Sequence, residues 1–134
     1  MKYIFIDTNI FLYASGDTHI YKEPSFKFLE KVAINQFKAV SNTEVLQEIL
    51  YYCYVRKDKI RGFKLIEKII EIVPLILPVN KNDILKAKEL LYKYPQLEPR
   101  DAVHSATMLN RGIKTICTYD KHYDQIKEIK RIEP

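Results

Sequence analysis

Tryptophan is absent from the 134 residues, glycine occurs only 3 times, and cysteine and methionine twice each. So little glycine, with no proline- or serine-rich stretch, leaves no linker, no low-complexity segment and no phosphate-cradling P-loop. Cys53 and Cys117 are far apart in apolar settings, LQEILYYCYV and KTICTY. That placement suits buried free thiols in a reducing compartment rather than a zinc motif or a disulfide. His19, His104 and His122 show neither HExxH nor paired spacing, and no GxSxG is present. Both facts argue against a zinc hydrolase and a serine hydrolase. No apolar run approaches the ~18 residues of a membrane span. The apolar run before Asp7 is too short for the core of a signal peptide. The chain therefore reads as a soluble cytoplasmic protein.

What is present is an ordinary globular balance, 47% apolar and 29% charged, over a length that fits one domain spanning 1–134. Lysine and arginine number 22 against 17 acids, a net charge of +5. If four acids are committed to one site, the 22 basic residues face the remaining 13, and the rest of the surface stands nearer +9. A cationic body around an anionic pocket fits a nucleic-acid partner; a plainly solvated lysine-rich surface fits the same numbers.

Apolar runs alternate with helical periodicity along the chain. KYIFI (2–6), FKAVS (37–41), LILPV (75–79), KTICTY (114–119) and EIKRI (128–132) read as strands. Between them lie a short helix at 9–14, a helix from Glu23 with Pro24 in its first turn, and helices over about 43–57, 61–73, 82–94 and 101–110. Ser41 and Glu44 have the spacing of a capping box at the start of the third helix, and Gly112 suits the residue just past the last one. Alternation of this kind predicts an α/β fold around a central, mostly parallel sheet. Sites in such sheets form outside the carboxyl ends of strands, where Asp7 and Asp120 both fall.

Each acid has a mundane alternative. Asp7 and Asp101 suit helix caps, Glu44 the capping box, Glu48 a solvated helix edge, and Asp120 or Asp124 a cap for a short turn. Together, two aspartates at strand ends and two acids early in helices converge on one crevice. Closely packed carboxylates repel unless cations neutralise them. Hard divalent ions suit such oxygen donors, and a site of this kind can hold a phosphodiester, activate water and stabilise a leaving oxygen. Thr118 alternates to the same side of its strand as Asp120. His104, one turn from Asp101, could touch substrate or Asp101 itself, though packing or a surface role is the more ordinary reading, and Ser105 reads as helix packing. Tyr51, Tyr52 and Tyr54 could stack bases if exposed, but at helical spacing core packing is the more ordinary reading.

Four stretches, FIDTNIFLYA (5–14), SNTEVLQEIL (41–50), RDAVHSATMLNRGI (100–113) and TICTYDKHYDQI (115–126), together resemble PIN-domain ribonucleases, and within them the VapC-type toxins of VapBC toxin–antitoxin pairs. The resemblance implies a three-layer α/β/α sandwich with about five strands and a homodimer. It also implies Mg²⁺- or Mn²⁺-dependent endonucleolytic cleavage of RNA, and a VapB-like antitoxin as partner. Carried over by motif, the acidic site comprises Asp7, Glu48, Asp101 and Asp120. Asn9 and Thr118 support it, and Asp124 is a further candidate ligand. Tyr123 stands where many relatives carry Phe. Arg56, Lys57, Lys59, Arg61 and Arg100 are candidates for binding RNA phosphates. Other readings remain: a housekeeping or structure-specific PIN nuclease such as a flap endonuclease, or a non-catalytic RNA- or partner-binding module. A haloacid-dehalogenase-type phosphotransferase would require Asp where Asn9 stands.

Overall fold

The computed structural model describes residues 2–134. Five strands form one sheet: β1 (Tyr3–Ile6), β2 (Lys38–Asn42), β3 (Leu75–Leu77), β4 (Thr115–Cys117) and β5 (Lys130–Ile132). They lie in the order β3-β2-β1-β4-β5, with every neighbouring pair parallel. Six α-helices connect them: α1 (Thr8–Ser15), α2 (Lys22–Ala33), α3 (Thr43–Val55), α4 (Lys59–Ile72), α5 (Lys81–Lys93) and α6 (Pro99–Leu109). A 3₁₀ turn, Lys121–Gln125, precedes β5.

The chain winds outward from β1 through β2 to β3, then returns across the sheet to β4 on the other side of β1. Right-handed crossovers consequently place α1–α4 on one face and α5 and α6 on the other. The packing agrees: α1 lies on α2 and α3 on α4, while α5 lies on α6. Strand residues buried on both sides, such as Phe5, Ile6, Val40 and Ile116, make the middle of the core. Cys53 and Cys117 are free and buried, and burial, with Asp7 nearby, pushes the Cys117 thiol up to about 12. Among the described residues no helix is long and apolar enough to cross a membrane.

Four of the five strands are shorter than the sequence suggests, β2 keeps its length but starts one residue later, and two capping expectations change. The α3 cap is Asn42, whose side chain accepts from the Val45 amide. Ser41 lies within β2 and its hydroxyl donates to the Ile6 carbonyl, so Glu44 has no box partner there. The capping box that forms is Asn80 with Asp83, at the start of α5. Asp58 caps α4 two residues earlier than the periodicity implies. Gly112 adopts φ +72° past α6, as expected, and Lys57 takes the same left-handed conformation (φ +56°) past α3. There Lys57 donates to the Tyr54 carbonyl and Asp58 to that of Cys53, closing the helix and turning the chain sharply into α4.

Candidate active site

Strand order reverses between β1 and β4, and a crevice opens outside their carboxyl ends at that switch point. Asp7 follows β1 directly; its amide donates to the Cys117 carbonyl at 3.1 Å, so the two strand ends are stitched together. Asp7 Oδ1 accepts from the Thr8 amide (2.8 Å) and caps α1, while Oδ2 accepts from the Thr118 hydroxyl (2.8 Å). The capping reading is thus correct, but it occupies one oxygen only. Asn9 donates to the Thr118 hydroxyl (2.9 Å) and accepts from the Tyr119 amide, while Thr118 Oγ1 also accepts from the Asp120 amide. One asparagine and one threonine therefore fix Asp7 and Asp120 relative to each other. Asp120 caps the 3₁₀ turn through the His122 amide.

Asp101 arrives from the other side. It is the third residue of α6, whose cap, Glu98, makes no side-chain bond. Asp101 does not cap the helix either. Its Oδ1 accepts from the Tyr123 hydroxyl at 3.2 Å, and its buried Oδ2 has no partner. Burial, followed by the charges of Asp120 and Asp7, pushes the Asp101 carboxyl up to about 8. Burial raises Asp7 as well, with His104 and Thr118 pulling the other way.

Glu48 reaches in from α3, and His104 Nε2 lies 2.6 Å from its Oε1 and 3.7 Å from Asp7 Oδ1. Burial is the largest effect on Glu48 and raises it, but the hydrogen bond and charge of His104 outweigh this and hold it below its ordinary value. The ring of His104 is fully buried. Its own burial favours the neutral form, while Glu48 and Asp7 favour the cation and dominate. Geometry restrains that tendency. Asn42 Oδ1 accepts from the Val45 amide, so its Nδ2 faces His104 Nδ1 at 3.1 Å. A donor there requires a lone pair on Nδ1, which leaves the ring proton on Nε2, directed at Glu48.

Asp7, Glu48, Asp101 and Asp120 line one cavity of about 400 Å³, together with Asn9, Arg56 and Arg100; Thr118 lies just behind. Asp101, Asp120 and His122 offer ligand atoms within 4.8 Å of one another. Among the described residues, no lysine or arginine forms a salt bridge to any of the four acids. Partly desolvated carboxylates, one of them with an orphaned buried oxygen, fit the donor set of a divalent cation.

Other expected residues lie elsewhere. Asp124 pairs with Arg131 (Nε to Oδ1 2.8 Å) outside the cavity, so its charge is already neutralised. Lys57 and Lys59 do not line it, because the left-handed turn after α3 carries them away. Tyr51 and Tyr54 are 61% and 64% exposed rather than core, since the buried stripe of α3 is Val45, Ile49 and Cys53. Asn42 and His122 stand outside the residues that the sequence motifs point to, and His104 joins the site rather than only packing. The spacing of His104 from Asp101, one helical turn, was the available signal, although the ring turns to Glu48 and Asp7 instead. Tyr123, where many relatives carry Phe, spends its hydroxyl on Asp101.

The PIN domain profile matches residues 4–129. Ribonuclease VapC13 of Mycobacterium tuberculosis is 32% identical over 131 residues, covering 96% of this chain and 98% of that protein. The chain belongs to the PIN-domain family of VapC ribonucleases. Ribonuclease VapC23 of the same species is 33% identical over 117 residues, covering 87% of this PIN domain chain and 92% of the relative. Among solved structures, VapC20 of M. tuberculosis, a Sarcin-Ricin loop cleaving toxin, superposes with a TM-score of 0.78 at 16% identity, over 98% of this chain and 99% of the other. VapBC2 of Rickettsia felis, bound to promoter DNA, gives 0.76 at 19% identity, over 99% and 98%. These two likenesses bear on the fold alone, an α/β sandwich.

Proposed function

We propose that this PIN domain, formed by residues 1–134, is a divalent-metal-dependent endoribonuclease and the toxin of a type II toxin–antitoxin pair. The observation that carries the reading is Asp101 Oδ2, buried and without a partner, in a cavity where Asp7, Glu48 and Asp120 converge and, among the described residues, no lysine or arginine forms a salt bridge to any of the four. Its protein partner is a VapB-like antitoxin, its working form a homodimer, and its compartment the cytoplasm.

Asp7, Asp101 and Asp120 hold the ion, with Glu48 contributing directly or through water; Mg²⁺ or Mn²⁺ suits the oxygen-rich set. When bound, the ion supplies Lewis acidity, favouring hydroxide at neutral pH and stabilising negative charge on phosphate oxygens. The chain's own residues do the rest. Asn9 and Thr118 keep the Asp7 and Asp120 carboxylates aimed inward, so little reorganisation is left for the moment of reaction. His104 holds Glu48 by its Nε2–H, and Asn42 holds His104. Tyr123 donates its hydroxyl to Asp101 Oδ1 and so orients the carboxyl. Arg56 and Arg100 on the rim bring phosphate to an otherwise anionic pocket, where unassisted RNA would be repelled.

The direct test is cleavage of single-stranded RNA by purified protein with Mg²⁺ or Mn²⁺. Wild type cuts internally, and Asp7→Asn or Asp101→Asn folds normally but does not cut. Undiminished cutting by either variant would overturn the assignment.

A further inference from the structure

The chain has five arginines, and they divide cleanly. Arg111 is paired with Asp83, and Arg131 with Asp124 and Glu133. Among the described residues, Arg56, Arg61 and Arg100 form no salt bridge, and all three line one continuous groove. The acidic cavity, which holds Arg56 and Arg100, shares Asn9, Leu12, Tyr52 and Arg56 with a second cavity of about 360 Å³ that adds Arg61. No lysine lines either cavity, although lysine is the commoner cation in the chain. The only acid on the second cavity's wall is Asp17, which is exposed.

The two arginines are held in place before any ligand arrives. Arg56 lies over the Tyr52 ring, 3.4 Å from its centroid, and donates to the carbonyl of Tyr52 one turn back. Arg61 lies 5.9 Å from the same ring. Its Nη2 contacts the Ser15 hydroxyl at 3.4 Å, and its Nε is buried without a partner. Gly16 makes room for it: a Cβ there would lie 3.3 Å from Arg61 Nη2 and 2.8 Å from the Leu12 carbonyl. The left-handed turn at Lys57 and the Asp58 cap bring Arg56, at the end of α3, and Arg61, in the first turn of α4, to the same side. Two planar guanidinium forks without counter-ions, steadied by one aromatic ring, match the oxygens of a phosphodiester.

We propose that the second cavity is a phosphate subsite of the ribonuclease, in which Arg56 and Arg61 grip an RNA phosphate flanking the one held at the acidic centre. The proposal rests on the ribonuclease reading above and deepens it. The strand runs from Arg100 across the carboxylates to Arg56 and Arg61, so the substrate is a polynucleotide engaged beyond its scissile bond. Anionic nucleotides too short to span both cavities gain nothing from Arg61.

The test measures binding of a fluorescein-labelled mixed-sequence 12-nucleotide RNA to the full chain in Ca²⁺, across a range of salt. The variants are Arg56→Ala, Arg61→Ala, Arg61→Lys, and Lys64→Ala as an exposed cation of α4 outside the groove. Each arginine-to-alanine change lowers the slope of log K against log salt by roughly 0.7, the value for one phosphate contact on a single strand. Lys64→Ala leaves it unchanged. Arg61→Lys restores the slope but not the full affinity, and guards against misfolding of Arg61→Ala; circular dichroism melts check both. Arginine variants that bind like wild type, or a Lys64→Ala loss as large as theirs, would overturn the subsite and leave these arginines to a protein partner. Cleavage in Mg²⁺ separates the two readings, since Asp101→Asn loses it whatever the arginine variants do to binding. Should wild type cleave and Asp101→Asn not, with arginine variants unaltered, only the subsite falls. Wild type that neither binds nor cleaves RNA would remove both.

Discussion

Asp83 and Asp101 occupy the same place on neighbouring helices. Each is the third residue of its helix, each is buried (1% and 9% exposed), and α5 and α6 pack on one another. Their surroundings are opposite. Asp83 accepts from the Asn80 amide, from Asn110 and from both ends of the Arg111 guanidinium. Asp101 accepts from one tyrosine hydroxyl and has an orphaned oxygen, with acids for neighbours. Burial raises both carboxyls. For Asp83 the Arg111 and Asn80 bonds outweigh it and hold the group below its ordinary value, whereas Asp101 is pushed up to about 8. A buried carboxylate whose cation comes from the chain is architecture. One left without a cation in an otherwise well-packed protein is waiting for one from solution.

That contrast is broken or sharpened first at Asp101. Asp101→Asn lowers RNA cleavage by about 10³-fold or more without lowering the melting temperature, because an amide replaces a carboxyl whose buried, acidic surroundings already favour the neutral form. A variant that unfolds would show Asp101 to be structural after all. At the other aspartate, Arg111→Met leaves Asp83 buried and unpaired. It costs roughly 2–4 kcal/mol by denaturant titration, with cleavage of the folded fraction unaltered.

The two groups also answer pH with opposite sign. The folded pKa of Asp101 lies above its ordinary 3.8, so the folded state binds the extra proton. Its contribution is fully present below about 4 and is lost as pH rises through about 8. Metal-free protein therefore loses stability over that window, Asp101→Asn removes this part of the loss, and Mn²⁺ offsets it by replacing the proton. Asp83, with a lowered pKa, contributes stability above its ordinary 3.8 that disappears only in stronger acid. Melting curves from pH 4 to 8 separate the two. The smallest effect belongs to positioning. His104→Gln weakens Mn²⁺ affinity about tenfold, read by calorimetry, with the fold retained; unchanged affinity would leave His104 a packing residue.

Much of this was legible in the residues. Strand and helix alternation gives the parallel sheet, and acids following strands fall at its carboxyl edge for reasons of topology alone. The ends of elements were less legible. Ser41 and Asn42 both suit a cap; pairing with β3 carries the strand through both, and Ser41 spends its hydroxyl on the Ile6 carbonyl, which leaves Asn42 to cap. Asp124 looks like another site acid until the fold brings Arg131 against it. His104 could be placed one turn from Asp101, but its partner comes from α3, across a distance in sequence that no local spacing reports. The same holds for the arginines: Arg111 finds Asp83 on α5 and Arg131 finds Asp124 in the 3₁₀ turn, contacts that periodicity does not encode.

Diffraction from crystals soaked in Mn²⁺, collected at the manganese edge, tests the central claim most directly. An anomalous peak inside the cavity beside Asp101 Oδ2, absent from Asp101→Asn crystals, is the result expected. An empty cavity, or manganese held equally well without the Asp101 carboxylate, would contradict it.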